Sequence, residues 1–292
     1  MTPEPDQVVD GRYRLLKKIG AGAHGVVFRA RDLESRGDVA IKFLSPEIAN
    51  KADYVERLRR EALAMAMLRG TSAVYVHGLR RAEDGSTYLI MEYLQGQNLQ
   101  TTLETAEARG GQLKAERLIQ LLRPIASTLS AAHGQSIVHR DLKPSNIFVL
   151  DKSVGGGIRL LDFGLVKLLD QKRLTLEGQV AGTPSYISPE GWRGNPLDLD
   201  HRIDVYAMGV IVFRALSGRV PFSSKNLVEV LNWASKGERP SLHALRRDLP
   251  PDIDIWVNKA LAAEPEQRFQ TIEALWSALE GLFPSASRPP LG

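Results

Sequence analysis

The sequence has no cysteine among its 292 residues, and it has no long apolar run. The first absence excludes a disulfide framework, a thiolate metal site and a cysteine nucleophile. The most apolar segment, DVYAMGVIVFRAL at residues 204–216, is shorter than the roughly 20 apolar residues that span a bilayer. We therefore predict no membrane span and interpret this segment as a helix that is buried on all sides.

An excess of charge of one sign is also missing, since the net charge is only +4 at pH 7. This value does not favour a nucleic-acid partner, whose recognition needs basic residues concentrated on one surface. The opening residues, MTPEPDQVVDGRYRLL, lack the apolar stretch of a secretory signal peptide. The length suits two packed lobes or one large domain.

Residue periodicity separates a strand-rich first part from a helix-rich second part. Alternating apolar residues predict about five strands, in YRLLKKIG, GVVFRARD, DVAIKFL, AVYVHGLRRA and STYLIMEYL. One helical pattern interrupts them, DYVERLRREALAMAMLRG, and Gly70 is its predicted stop. After QGQNL the helical period dominates. The pattern predicts a mixed α+β protein.

A glycine-rich run, IGAGAHGVVF, places Gly20, Gly22 and Gly25 in GxGxxG spacing. Glycines without a Cβ let backbone N–H groups approach phosphate oxygens. In a dinucleotide-binding fold the last glycine would open a helix, but here alternating β-branched residues follow. We predict a strand–loop–strand hairpin that covers phosphates, with an ordinary glycine-rich turn as the alternative.

Two further motifs place charge within apolar segments. Lys42 ends the apolar VAIK, where its ammonium needs a phosphate or a carboxylate as partner. Glu61 on the predicted helix is a candidate, although periodicity alone does not distinguish it from Glu56. Asp162 follows the apolar strand of IRLLDFG and is either a Mg²⁺ ligand or the start of a turn.

The densest charge cluster is VHRDLKPSNIF at residues 138–148. With the glycine run, VAIK, a helix glutamate, DFG and SPE, this motif resembles the catalytic domain of bacterial (Hanks-type) serine/threonine protein kinases. The motifs occur in the family's order and cover residues 13–283. The resemblance implies a two-lobed α+β fold, with a small β-rich N-lobe that carries one regulatory helix and a larger helical C-lobe.

The resemblance also implies a domain organisation and the composition of the ATP site. It divides the chain into a flexible tail over residues 1–12, an N-lobe with its hinge over 13–94, a C-lobe over 95–283 with the activation segment at 162–190, and a linker or tail over 284–292. It assigns ATP binding to Gly20, Gly22, Gly25, Val27, Ala40, Lys42, Met91, Glu92 and Leu94.

Catalytic roles are carried over in the same way. Asp141 would orient the substrate hydroxyl and accept its proton, and Lys143 would neutralise the γ-phosphate. Asn146 and Asp162 would hold Mg²⁺, with Mn²⁺ as the alternative metal. Lys42 would bind the α- and β-phosphates while Glu61 holds its ammonium.

The activation segment is expected to be switched by a phosphate. Arg140 and Lys167 would form the basic receptor for it. We predict Thr175 as the autophosphorylated residue, with an unmodified loop threonine as the alternative. Thr183 would contact the catalytic Asp and Lys.

Three residues are expected to be structural in this family. Glu190 would form a buried ion pair with Arg268, and Asp204 would support the backbone of the catalytic loop.

The resemblance implies ATP and protein substrates as partners, a transient kinase dimer, and a cytoplasmic location, either alone or as the intracellular part of a membrane-anchored protein. One rival interpretation is an ATP-binding pseudokinase or scaffold. Such proteins usually lack counterparts of Lys42, Asp141 or Asp162, and all three are present. A small-molecule phosphotransferase is a second rival, and it would lack a Glu190 anchor.

Overall fold

The chain divides into two units, Met1–Gln95 and Gly96–Gly292. The computed structural model describes residues 3–22, 25–45, 49, 52–82, 84–163, 184–193 and 199–284, except for the side chains of residues 52–54, 57, 60, 61, 63 and 64. The division falls beside the boundary that the family resemblance implies between residues 94 and 95.

Among its described residues, the first unit forms an antiparallel sheet of six strands and contains helix α1. The order of strands across the sheet is β1-β2-β3-β4-β6-β5. The elements are β1 (Val8–Val9), β2 (Tyr13–Gly22), β3 (Gly25–Asp32), β4 (Asp38–Leu44), α1 (Ala52–Met67), β5 (Val76–Arg81) and β6 (Thr87–Glu92).

One face of this sheet carries a continuous hydrophobic core. Because successive side chains in a strand point to opposite faces, every second residue of β4 contributes to the core. Its buried members are Val9, Tyr13, Leu15, Phe28, Ala30, Val39, Ile41, Phe43, Tyr88 and Ile90. The intervening residues of β3, β4 and β6 therefore lie on the opposite face.

The beginning of the chain corrects the expectation of a flexible tail over residues 1–12. Val8 pairs with Arg14 and Val9 pairs with Tyr13, so this segment adds a sixth strand to the sheet. Val9 is 5% exposed within the core. Burial of this side chain opposes the entropy cost of ordering the segment. A strand of two residues is too short for its periodicity to be recognised in the sequence.

The second unit is mainly helical and contains a small sheet in the order β7-β8-β9. Its strands are β7 (Gly96–Asn98), β8 (Ile147–Leu150) and β9 (Ile158–Leu160). Its α-helices are α2 (Leu99–Ala108), α3 (Ala115–His133), α4 (Pro189–Arg193), α5 (Arg202–Ser217), α6 (Leu227–Lys236), α7 (Leu242–Leu245), α8 (Ile253–Ala260) and α9 (Ile272–Gly281). The shorter turns of 3₁₀ helix are Pro144–Asn146, Lys152–Val154, Pro184–Tyr186 and Pro265–Gln267.

Helix α5 is the central element of the second unit. Every residue from Asp204 to Leu216 is buried, which confirms the prediction of a helix that is buried on all sides. The helix stops at Gly218, whose φ of 75° is a left-handed conformation. Among the helices of the described residues, none is both long enough and apolar enough to cross a membrane.

The hairpin of β2 and β3 requires a glycine at position 25. Gly25 has φ 136°, and a Cβ atom added there would lie 1.8 Å from the carbonyl oxygen of Phe43. We expect Gly25→Ala to lower the free energy of local opening of β3 and β4 by about 2 kcal/mol, because the backbone must shift. Amide hydrogen exchange measures this quantity strand by strand. Gly22→Ala is the matched control, since no heavy atom lies within 4 Å of its added Cβ. Equal protection in the two variants would contradict the prediction.

Candidate active site

Strand register places most of the predicted nucleotide-binding residues of the first unit on one sheet face. Lys42 pairs with Val27 on one side and with Leu89 on the other, and Ala40 pairs with Met91. Paired residues share a face, and this face is the one opposite the hydrophobic core. Val27 and Lys42 are half-buried, whereas Ala40 and Met91 are buried. The part of the face around Lys42 therefore offers apolar side chains beside its ammonium group.

The glycines flank the turn of a hairpin, as the alternating residues after Gly25 predict. Gly20 pairs with Val27, and Gly22 pairs with Gly25 at the open end of the β2–β3 ladder. Residues 23 and 24, which follow Gly22 and precede Gly25 in the chain, lie outside the described residues. The glycine run thus connects two strands and does not open a helix, which excludes the geometry of a dinucleotide-binding fold.

Glu92 differs from the other predicted ATP-site residues. It pairs with Val39, so its side chain lies on the core face of the sheet. Its Oε1 accepts a hydrogen bond of 2.8 Å from the N–H of Tyr75, and its own N–H donates to the Tyr75 carbonyl over 2.9 Å. The carboxylate therefore joins Tyr75 to the end of β6. Leu94 is half-buried, and the side chain of Glu61 lies outside the described part.

In the second unit, a buried carboxylate holds the backbone of the HRD segment. Asp204 is 1% exposed and accepts hydrogen bonds from the N–H groups of His139 (2.8 Å) and Arg140 (2.9 Å). Arg140 has φ 63°, a left-handed conformation that costs a residue with a side chain roughly 1 kcal/mol. These two hydrogen bonds to one side chain oppose that strain. Asp204 thus supports the backbone at His139 and Arg140.

The turn that follows Arg140 in the chain brings three polar side chains together. Lys143 Nζ donates to Asp141 Oδ2 over 2.9 Å, and Asn146 Nδ2 lies 3.2 Å from the same oxygen. Asn146 Nδ2 also donates to the Asp141 carbonyl over 2.8 Å. Both Asp141 and Lys143 retain about a fifth of their side-chain exposure, at 19% and 21%. The carboxylate is consequently held in position while solvent and ligands still reach it.

A buried histidine connects this turn to the strand that leads to Asp162. His139 is fully buried, and its Nε2–H donates to the carbonyl of Leu161 over 2.9 Å. Its ring lies 4.9 Å from the ring of Phe163, which is also buried. His139 is thus a structural group, because both ring nitrogens face the protein backbone. Asp162 has φ 35°, another left-handed conformation in this region.

The donor atoms of Asn146 and Asp162 suit a hard divalent cation. The amide nitrogen of Asn146 is bonded to Asp141, so its amide oxygen faces away from that residue. No group of three or more His, Asp or Glu side chains among the described residues could hold a metal ion alone. A cation such as Mg²⁺ would complete its octahedron with phosphate oxygens and water. The residues therefore fit a metal that binds together with a nucleotide.

Glu190 and Arg268 form a buried bidentate ion pair, with both N···O distances at 2.6 Å. Arg268 also donates to the carbonyls of Ala262 and Ala263, and its guanidinium lies 5.0 Å from the ring centroid of Tyr206. Burial raises the pKa of the Tyr206 phenol, which stays neutral beneath the cation. The pair thus fixes the end of the segment that carries Glu190.

Several predicted residues of the activation segment lie outside the described part of the chain, namely Lys167, Thr175 and Thr183. Arg140 is described, and its buried Nε has no hydrogen-bond partner among the described residues.

Sequence reasoning missed His133 and the role of Asn98. His133 Nε2 lies 2.8 Å from Asp204 Oδ2, a contact between residues 71 positions apart that no local motif indicates. Asn98 precedes α2 and accepts a hydrogen bond from the N–H of Thr101 over 2.9 Å. It is the N-cap of that helix, and the signal for this role was its position before a helical pattern.

Comparison with known families decides the identity. The sequence profile described as "Protein kinase domain" matches residues 13–278, which include every site residue discussed above. The chain belongs to the protein kinase domain family.

The chain is similar to several curated bacterial proteins. It is 35% identical to "Serine/threonine-protein kinase pkn3" of Myxococcus xanthus, over 96% of this chain and 52% of that protein. It is 32% identical to "Serine/threonine-protein kinase PrkC" of Bacillus subtilis, over 94% of this chain and 41% of that protein. It is also 36% identical to "Tyrosine-protein kinase MasK" of Myxococcus xanthus, over 92% of this chain and 43% of that protein. The chain thus spans about half or less of the length of these relatives.

Solved structures share the fold of this kinase domain. The crystal structure of the Mycobacterium tuberculosis PknI kinase domain in a double-mutant form superposes with a TM-score of 0.74 at 24% identity, covering 97% of this chain and 99% of that chain. The predicted α+β protein kinase fold, with a β-rich N-lobe and a helical C-lobe, is confirmed.

The Glu190–Arg268 pair is expected to contribute strongly to stability. Arg268→Lys keeps the charge but loses the second hydrogen bond to Glu190 and two bonds to backbone carbonyls. We expect the free energy of unfolding of the second unit to fall by about 3 kcal/mol, since a buried carboxylate is left with poor partners. Urea denaturation followed by near-UV circular dichroism measures the change. Arg193→Lys is the control, because the Arg193–Glu264 pair is about half exposed on each side. A loss no larger than that of the control would show that the buried pair is not stabilising.

Proposed function

We propose that this chain is the catalytic domain of an active serine/threonine protein kinase, which transfers the γ-phosphoryl group of ATP to protein hydroxyls. The observation that carries the proposal is the cluster of Asp141, Lys143 and Asn146 on a loop that Asp204 holds. A partly exposed carboxylate with a lysine and an asparagine beside it suits phosphoryl transfer, which needs positioning and charge neutralisation.

In the proposed reaction, Asp141 orients the substrate hydroxyl and accepts its proton. The hydroxyl oxygen forms a bond to the γ-phosphorus while the bond from that phosphorus to the β,γ-bridging oxygen breaks, which leaves ADP. Lys143 neutralises negative charge on the transferred group, because its ammonium lies 2.9 Å from the Asp141 carboxylate and can reach the same region. Asn146 and Asp162 would hold Mg²⁺, which neutralises the phosphate charge when it is bound.

ATP binding in this proposal uses the sheet face that carries Lys42. The apolar residues Val27, Ala40 and Met91 would contact the adenine, and Lys42 would bind the α- and β-phosphates. Glu92 would contribute to ATP binding through its backbone, because its carboxylate accepts a hydrogen bond from the N–H of Tyr75. The ion pair of Lys42 with Glu61 remains part of the proposal on the resemblance alone.

Serine and threonine are the proposed acceptor residues. A lysine two positions after the catalytic aspartate resembles serine/threonine kinases, and Lys143 stands there. The names of pkn3 and PrkC support this class, whereas MasK is named a tyrosine kinase. Phosphoamino-acid analysis distinguishes the two classes.

A cytoplasmic location and a transient dimer complete the proposal. ATP and protein substrates are available in the cytoplasm, and autophosphorylation between two copies needs only a short-lived contact. The pseudokinase interpretation is less well supported, because Lys143 and Asn146 both lie within hydrogen-bonding distance of the Asp141 carboxylate.

Replacing Asp141 tests the activity directly. We expect Asp141→Asn to lower the rate of phosphate transfer from labelled ATP by at least about a hundredfold, since the general base is lost. Asp151→Asn, at an exposed aspartate of the same unit, is the matched control and should keep the wild-type rate. The label should appear on serine and threonine. Comparable transfer by wild type and Asp141→Asn, or none by either, would refute the proposal.

Autophosphorylation is expected at Thr175. Its phosphate would carry close to two negative charges and would pair with Arg140 and Lys167. Thr175→Ala should remove most of the phosphate that wild type acquires with Mg²⁺ and ATP, as measured by peptide mass spectrometry. Thr105→Ala, at an exposed threonine of α2, should leave it unchanged. Phosphate found only at other residues of the segment would contradict this assignment.

A further inference from the structure

The sheet face that carries Lys42 also carries an arginine, Arg29 of β3. Arg29 pairs with Ala40 in the strand register, and paired residues share a face of the sheet. Its side chain is therefore beside one of the apolar residues that would contact the adenine in the proposed function. It retains 39% exposure, so a ligand on this face would lie close to a guanidinium group.

A carboxylate at the start of β4 holds this guanidinium. Arg29 Nε donates to Asp38 Oδ2 over 2.7 Å, and Arg29 Nη2 forms an ion pair with the same oxygen. The side chain of Asp38 is 16% exposed, and its other oxygen lies 2.6 Å from Arg31 Nε. The Nε edge of Arg29 is thus occupied by Asp38 and is not offered to a phosphate.

The flat side of the same guanidinium covers an aromatic ring. Arg29 Cζ lies 4.8 Å from the ring centroid of Tyr93, a distance at which a cation is attracted to an aromatic face. Tyr93 is half-buried and directly follows β6, where the chain leaves the sheet. The contact therefore ties the chain just beyond β6 to β3, across the intervening strand β4.

The preceding residue, Glu92, is fixed on the other face of the sheet. Its side chain lies on the core face, where its carboxylate accepts a hydrogen bond from the N–H of Tyr75. Residues 92 and 93 are thus anchored on opposite faces of the sheet. Backbone groups that recognise a nucleobase bind it better when they are ordered beforehand, because ordering them during binding costs affinity.

We propose that Arg29 is a positioning residue for nucleotide binding, which acts through Tyr93 to fix the backbone of residues 92–94. The inference rests on the proposed function for the identity of the ligand. Arg29 touches no phosphate in this account. Its loss should weaken nucleotide binding and raise the KM for ATP, while kcat at saturating ATP stays unchanged, because this backbone takes no part in the transfer step.

The test measures the dissociation constant for ADP with Mg²⁺ by isothermal titration calorimetry. Arg29→Met removes the charge, and Tyr93→Leu removes the ring. We expect each to raise Kd about threefold, and the double variant should bind no more weakly than either single variant, because all three lack the same contact. Tyr93→Phe keeps the aromatic face and should bind ADP as wild type does. The amides of Tyr93 and Leu94 should exchange with deuterium faster in nucleotide-free Arg29→Met.

The matched control is Arg12→Met, because Arg12 has the same kind of partners elsewhere in the unit. Its guanidinium lies 2.7 Å from a carboxylate oxygen of Asp32 and 5.1 Å from the ring centroid of Tyr13. The control loses an ion pair and a cation–π contact, as Arg29→Met does, but at a ring that belongs to the hydrophobic core. It should keep the wild-type Kd for ADP, which separates a general loss of stability from a loss of positioning.

Four results would overturn the inference. They are a wild-type Kd in Arg29→Met, additive losses in the double variant, unchanged amide exchange at Tyr93 and Leu94, and a wild type that does not bind ADP. The first of these, combined with weaker binding by Tyr93→Leu, would show that Tyr93 contacts the nucleotide without help from Arg29.

The binding measurements do not need phosphate transfer. If wild type binds ADP but transfers no phosphate, the proposed function fails, whereas the Kd values still decide this inference. If Arg29→Met does not fold, Asp38→Asn decides it, since this variant removes the charge that holds Arg29 and leaves Tyr93 in place. We expect its Kd for ADP to rise about twofold, and an unchanged value would then overturn the inference.

Discussion

A single buried carboxylate, Asp204, determines how the catalytic loop is presented. Removing a charged group from water is costly, and Asp204 is tolerated at 1% exposure because two backbone N–H groups and one imidazole satisfy it. The same bonds hold a left-handed residue, Arg140, immediately before the aspartate that we assign to catalysis. The support lies in α5, whose residues from Asp204 to Leu216 are all buried. The charged turn can therefore stay partly exposed without losing its geometry.

The Glu190–Arg268 pair is a second case in which hydrogen bonds satisfy a buried carboxylate of this unit. Both partners are nearly inaccessible to solvent, and the guanidinium satisfies two carboxylate oxygens together with backbone carbonyls. Buried ions with complete hydrogen bonding permit few alternative arrangements, whereas an apolar pair would tolerate several. The first unit uses a different device, since strand pairing alone places Lys42 among apolar residues on the face opposite its core.

Much of the site was predictable because its residues occur in short contiguous motifs. The HRD turn contains Asp141, Lys143 and Asn146 within six positions, so its assembly needs only local folding. The burial of α5 followed from its continuous apolar composition. The strand at Val8–Val9 was missed, because two residues carry no readable period and their pairing depends on Tyr13 and Arg14. The functions of Asn98 and of the Glu92 carboxylate were likewise decided by neighbouring backbone N–H groups.

The amino-acid sequence by itself determined the family, the α+β class and the chemical groups available for phosphoryl transfer. These properties depend on residue type, spacing and periodicity, all of which are local. Only the tertiary structure decided that His133 on α3 meets Asp204 on α5, that Glu190 meets Arg268, and that the Glu92 side chain turns away from Lys42. Such contacts join residues far apart in the chain, and their geometry follows from how helices and strands pack, which no local pattern contains.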